Sequence, residues 1–229
     1  MKKVIVALDY ASEEEALQFV HKLDPSLCRV KVGKELFTSA GPQLIQQLHD
    51  LKFEVFLDLK FHDIPATTAK AVTAAAELGV WMVNVHASGG EEMMRAAADA
   101  LKPYASKAPK LIAVTVLTSM SETELEKIGV DKPLPAQVLS LAKMAHDCGL
   151  DGVVCSAREA AILRQSLGDD FLLITPGIRP EGSELHDQKR VMTPGDAIKA
   201  GVSYLVMGRP IRDAQDPIAE LKRIHQELH

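Results

Sequence analysis

Aromatic residues make up only 4% of the 229-residue chain, and no run of lysine or arginine is longer than two. With a net charge of −5, such a chain offers neither the base-stacking platform nor the basic stripe that nucleic acid requires, and nothing draws it to an anionic membrane. Long apolar runs are missing as well. The opening MKKVIVALD is broken by Asp9 and followed by no small-residue cleavage site, so neither a membrane span nor a secretory signal is expected and the chain reads as cytoplasmic. Cysteine is sparse: Cys28, Cys148 and Cys155 are odd in number and unrelated in spacing, which fits neither a disulfide framework nor a zinc site and leaves reduced thiols. The G-x-G-x-x-G of a dinucleotide-binding turn is absent.

What is present is ordinary globular material, 47% hydrophobic and 25% charged, enough for one large α/β domain. Short β-rich runs recur: VIVAL (4–8), RVKVG (29–33), FEVFLDLK (53–60), WMVNVH (81–86), LIAVTVL (111–117), GVVCS (152–156), FLLIT (171–175) and SYLVMG (203–208). Helical stretches lie between them. SEEEALQFVHKL has Ser12 and Glu15 at capping-box spacing. PQLIQQLHDL places Leu44, Ile45, Leu48 and Leu51 on one face. PATTAKAVTAAAEL begins with Pro65, suited to a first helical position. ELGVWMVNV, DCGLDGVVC and KAGVSYLVM echo one another as helix end, glycine cap and buried strand. Eight strand–helix alternations predict a (β/α)8 TIM barrel spanning residues 1–229 as a single domain; a doubly wound open sheet is the competing arrangement.

The third run raises a question. FLDLKFHDIP (56–65) places Asp58, Lys60 and Asp63 at the end of a buried strand, where unpaired charge is costly. Residues two apart in a strand share a face, so Asp58 and Lys60 are expected to project together. Other strands end in Asp9, Lys31, Asn84, His86 and Thr118. The C-terminal mouth of a barrel is where inward polar groups from several strands meet and do chemistry. Ion pairs buried for stability alone are weak devices, so a functional array is the better reading.

TPGIRPEG and MGRPIRDAQDP follow the seventh and eighth runs, on the two loops that commonly cradle phosphate in this fold. Arg179 and Arg209 are suited to a dianion through their planar guanidinium groups. The aperiodic stretch RPEGSELHDQKRVMTP (179–194) is long for such a loop and reads as a lid carrying Arg179 and Gln188. Asp58, His62 and Asp63 could in principle attract a divalent cation, but Lys60 among them repels one; no metal is expected.

DLKFHDIP, with its D-x-K-x-x-D core at Asp58, Lys60 and Asp63, resembles the orotidine 5′-phosphate decarboxylase family. ALD (7–9), VKVG (30–33), NVHASGG (84–90), VTVLTSM (114–120), DGVVCS (151–156), TPGIR (175–179) and MGRPI (207–211) follow in the family's order. The resemblance implies a homodimeric (β/α)8 barrel that makes uridine 5′-phosphate without cofactor or metal. It implies a catalytic set of Lys31, Asp58, Lys60 and Asp63, with Asp58 beside the departing carboxylate, Lys60 as proton donor and Asp63 reaching the neighbouring subunit's site. It further implies Asp9, Lys31 and Thr67 near the ribose hydroxyls, Thr118 at the pyrimidine, and Arg179, Gln188, Gly208 and Arg209 at the phosphate, with Gln188 bridging to the base. Some members place a serine at the position of Ser121 against the pyrimidine. Two alternatives stay open at this point: a metal-dependent sugar-phosphate decarboxylase or aldolase sharing the D-x-K-x-x-D core, and a catalytically dead nucleotide-binding sensor.

Overall fold

In the computed structural model, which describes residues 2–180 and 192–228, strands β1 (Val4–Leu8), β2 (Cys28–Gly33), β3 (Val55–Phe61), β4 (Met82–His86), β5 (Lys110–Val114), β6 (Gly152–Val154), β7 (Leu172–Thr175) and β8 (Tyr204–Met207) close into a parallel barrel. Each strand pairs with the next, and β8 returns to β1 through Val4–Leu205 and Val6–Met207. Closure excludes the doubly wound alternative.

Strand alternation sorts the side chains into two sets. Val4, Val6 and Leu8 point outward into the large cluster shared with the helices, while Ile5, Ala7, Phe56, Met82, Ile112, Ile174 and Val206 fill the interior. Phe56 is 1% exposed, and truncating so large a buried ring to alanine costs about 3–5 kcal/mol through lost contacts and a cavity. The inward parity of Ile5 and Ala7 continues to Asp9, that of Phe56 to Asp58, and that of Met82 to Asn84. The polar residues of the mouth are therefore the next inward positions above an apolar core. At the opposite end Arg29 closes β2, its guanidinium 4.1 Å from the Trp81 ring centroid and its Nε 3.2 Å from Glu54.

Local signals behave as the sequence suggests in several places. The Ser12 hydroxyl accepts from Glu15 N–H at the start of helix Glu13–Val20, and Pro65 opens helix Pro65–Glu77. Gly79 and Gly149 adopt φ of 74° and 81° where their helices end, a conformation that costs glycine least. Some features differ from expectation. β5 ends at Val114, so the segment 115–117 is not strand. β3 begins at Val55, because Phe53 N–H still bonds to Leu48 O of the preceding helix turn. Short helices Lys34–Ala40, Glu122–Lys127 and Arg209–Arg212 were not expected; at four to seven residues they are too short to print a hydrophobic period. Among the described residues no helix is long and apolar enough to cross a membrane.

Candidate active site

At the C-terminal mouth a chamber of about 580 Å3 opens over a floor of Ala7, Phe56, Val154, Ile174 and Val206. Its volume suits a small organic ligand. On the β1–β3 side its wall is Asp9, Lys31, Asp58 and Lys60; on the β7–β8 side it is Arg179, Gly208, Arg209 and Arg212, with Thr118 on a third edge.

The first wall is a chain of alternating charge. Lys31 Nζ lies 3.4 Å from Asp9 Oδ1 and 3.2 Å from Asp58 Oδ2, while Lys60 Nζ lies 2.7 Å from Asp58 Oδ1. Asn84 Nδ2 donates to that same Asp58 oxygen at 2.7 Å. Burial alone would raise the Asp58 carboxyl, but Lys31 and Lys60, with hydrogen bonds from Lys60 and Asn84, outweigh it and hold its pKa below the usual carboxylate value. Asp58 is therefore a buried anion with its charge compensated on both sides.

Simple strand alternation does not bring Lys60 here. Its φ is 53°, a left-handed conformation that costs a non-glycine residue free energy and persists only when its surroundings enforce it. The β3–β4 register slips at this point, so the pleat is interrupted between Asp58 and Lys60. Next to the array, His86 is pushed down to about 4, first by burial and then by the nearby His62, Lys34 and Lys60; the His62 and His86 rings lie 5.4 Å apart.

Of the residues singled out by sequence, Asp9, Lys31, Asp58, Lys60, Thr118, Arg179, Gly208 and Arg209 line the chamber. Arg179 is buried and donates through Nη1 to Ile178 O at 2.9 Å, and its backbone N–H donates to Met192 O. Asp63 and Thr67 are not brought into this chamber. Both are exposed, the Asp63 carboxylate accepting from Ile64 N–H at 2.7 Å and Thr67 N–H donating to Ile64 O in the first turn of its helix. Gln188 and most of the expected lid lie outside the described residues. Ser121 has a different employment: its hydroxyl donates to Glu124 Oε2 at 3.0 Å and accepts from Glu124 N–H, a capping box for helix Glu122–Lys127.

Two contributors went unassigned in the sequence. Arg212 lines the chamber beside Arg209 and donates through Nη1 to Asp9 O at 3.1 Å; its spacing of three from Arg209 was the available signal. Asn84 was visible only as an inward polar residue at a strand end. Among the described residues no group of three or more His, Cys, Asp or Glu side chains is placed to hold a metal ion.

A family profile described as "Orotidine 5′-phosphate decarboxylase / HUMPS family" matches residues 2–224. A protein of Pseudoalteromonas translucida named orotidine 5′-phosphate decarboxylase is 61% identical over 227 residues, covering 99% of this chain and 97% of its own. The protein of the same name from Shewanella sediminis is 60% identical with the same coverage. The crystal structure of orotidine 5′-phosphate decarboxylase from Lactobacillus acidophilus superposes with a TM-score of 0.90 at 43% identity, covering 100% of both chains.

Proposed function

The chain belongs to the orotidine 5′-phosphate decarboxylase family, and from that premise we infer that it converts orotidine 5′-phosphate to uridine 5′-phosphate and CO2, the closing step of uridine 5′-phosphate biosynthesis, with residues 1–229 acting as one catalytic domain. The observation that carries the reading is the Asp9–Lys31–Asp58–Lys60 array facing an arginine-lined wall across one chamber. Neither a sugar-phosphate enzyme nor a dead sensor is supported by relatives at about this identity, and each charged member of the D-x-K-x-x-D core is in place.

The chemistry follows from the charges. Breaking the bond between C6 and its carboxylate leaves an electron pair on a carbon without a conjugated sink. A site for this reaction must stabilise that pair and supply a proton at C6. The Lys60 ammonium, 2.7 Å from Asp58 Oδ1, is the group that can do both. Asp58, held ionised, sits where the substrate carboxylate would press against it, so departure of CO2 relieves a like-charge contact. Arg179, Arg209 and Gly208 take the phosphate dianion, and binding energy gained there anchors C6 over Lys60. Asp9 and Lys31 face the ribose hydroxyls, Thr118 the pyrimidine edge, and Gln188 links phosphate and base. The mechanism calls on no metal or organic cofactor; Lys31 and Lys60, on either side of Asp58, oppose a cation there.

Asp63 and Thr67 complete the site of a second copy. Supporting this are their exposure within one chain and Ile64 between them, 67% exposed, an apolar side chain suited to the core of a two-fold contact. A cytoplasmic location belongs to the same reading and agrees with three buried free thiols. The test is direct: purified protein is given orotidine 5′-phosphate with and without a strong chelator. Equal formation of uridine 5′-phosphate in both supports the reading. No turnover, or turnover restored only by Mg2+, overturns it.

A further inference from the structure

The β3–β4 ladder contains an irregularity centred on one residue. Leu57 pairs with Val83 and Phe61 with Val85, so Asp58, Leu59 and Lys60 stand opposite Asn84 alone. The backbone ladder cannot serve three residues with one partner, and the side chain of Asn84 takes over. Its Oδ1 accepts from Lys60 N–H at 2.8 Å and its Nδ2 donates to Asp58 Oδ1 at 2.7 Å. Asn84 is 0% exposed, so its carboxamide depends on protein partners.

The partners fix the orientation of the amide, because a backbone N–H only donates and an ionised carboxylate only accepts. Few side chains could replace it. Leucine has a similar size but would leave a buried N–H and a buried carboxylate each short of a partner, the costly case for hydrogen bonds. Aspartate keeps the acceptor for Lys60 N–H but sets a second carboxylate against Asp58. The bulge also accounts for the geometry of the array. With φ of 53° at Lys60, the pleat is broken locally, and the Lys60 ammonium lies 2.7 Å from Asp58, two residues earlier. A conformation of that kind persists only where its surroundings over-determine it, and the Asn84 side chain accepts from the Lys60 backbone N–H there.

We propose that Asn84 is a positioning residue for the decarboxylation: one carboxamide clamps the backbone of Lys60 and the carboxylate of Asp58, and so fixes the spacing of the proton donor and the anion beside the leaving group. The inference rests on the reading that Lys60 and Asp58 act on orotidine 5′-phosphate. A residue that only stabilised the barrel would change the amount of folded protein and not the turnover of each folded site. A positioning residue changes kcat per folded site while leaving the phosphate wall, and hence affinity for uridine 5′-phosphate, nearly intact.

The experiment compares wild type with Asn84→Ser, Asn84→Ala and Asn84→Asp, measuring kcat per folded site, uridine 5′-phosphate affinity and the pH profile. Asn84→Ala is expected to lose on the order of 100-fold in kcat with nucleotide affinity within about threefold. Asn84→Asp carries a sharper signature. A carboxylate against Asp58 has a raised pKa, and once protonated its O–H can donate to Asp58 as the amide N–H does. The ratio of Asn84→Asp to wild-type kcat should therefore climb as pH falls. A kcat within about threefold of wild type in the alanine or serine variant, or a pH-independent Asn84→Asp ratio, overturns the proposal. Should wild type itself fail to turn over orotidine 5′-phosphate, the substrate reading fails, and a crystal structure of Asn84→Ser decides the clamp separately. Loss of the positive φ at Lys60 supports it, and an unchanged bulge refutes it.

Discussion

Lys60 and Asp63 lie three residues apart in the sequence, yet the Lys60 ammonium lines the chamber while the exposed Asp63 carboxylate accepts from Ile64 N–H at 2.7 Å. In a symmetric dimer each site would then combine Lys60 of one chain with Asp63 of the other. Lys60→Ala and Asp63→Ala homodimers are each expected to be nearly inactive. After mixing and subunit exchange, half the dimers are hybrids with one intact site, and activity should return to about a quarter of wild type. Confirmed exchange with no recovery would mean that Asp63 acts within its own chain.

Arg209 tests the phosphate wall. Its contribution is binding energy remote from the reacting carbon. Arg209→Ala should lower kcat/KM for orotidine 5′-phosphate by about 2–5 kcal/mol, the scale of a lost desolvated ion contact. Turnover of the nucleoside without its phosphate should hardly change. Equal losses on both substrates would remove Arg209 from the phosphate site.

His86 gives the fold a pH dependence of predictable sign. Burial, then His62, Lys34 and Lys60, hold it down at about 4, whereas an unfolded histidine titrates near 6.5. The unfolded chain takes the proton first, so stability falls as pH drops from about 6.5 towards about 4. The ring is only half buried, which limits the effect to about 1–2 kcal/mol after solvent screening. Urea midpoints measured between pH 7 and pH 5 should fall in wild type and flatten in His86→Gln, leaving the smaller contribution of His49, also lowered by burial. An unchanged slope in the variant would assign the effect elsewhere.

The barrel was legible because its determinants are local: β-branched runs, capping residues such as Ser12 and Pro65, and glycines at helix ends. The mouth was legible because strand parity carries Ile5 and Ala7 on to Asp9, and Phe56 on to Asp58. The conformation of Lys60 was not. Its positive φ arises from a register slip between two strands that are distant in sequence, and nothing in LDLKF announces it. The clamp by Asn84 is hidden for the same reason, since a strand-end asparagine reads only as inward and polar. Ser121 shows the reverse case. S-E-T-E has capping-box spacing, a local signal that went unassigned, and the Ser121 hydroxyl caps helix Glu122–Lys127.

Turnover by Lys60→Ala tests the proton-donor role most directly. If the Lys60 ammonium stabilises the C6 electron pair and protonates it, the variant should lose several orders of magnitude in kcat while still folding and binding uridine 5′-phosphate. A folded, nucleotide-binding Lys60→Ala that keeps about a tenth of wild-type kcat would contradict it, because no effect so small belongs to the group that supplies the proton.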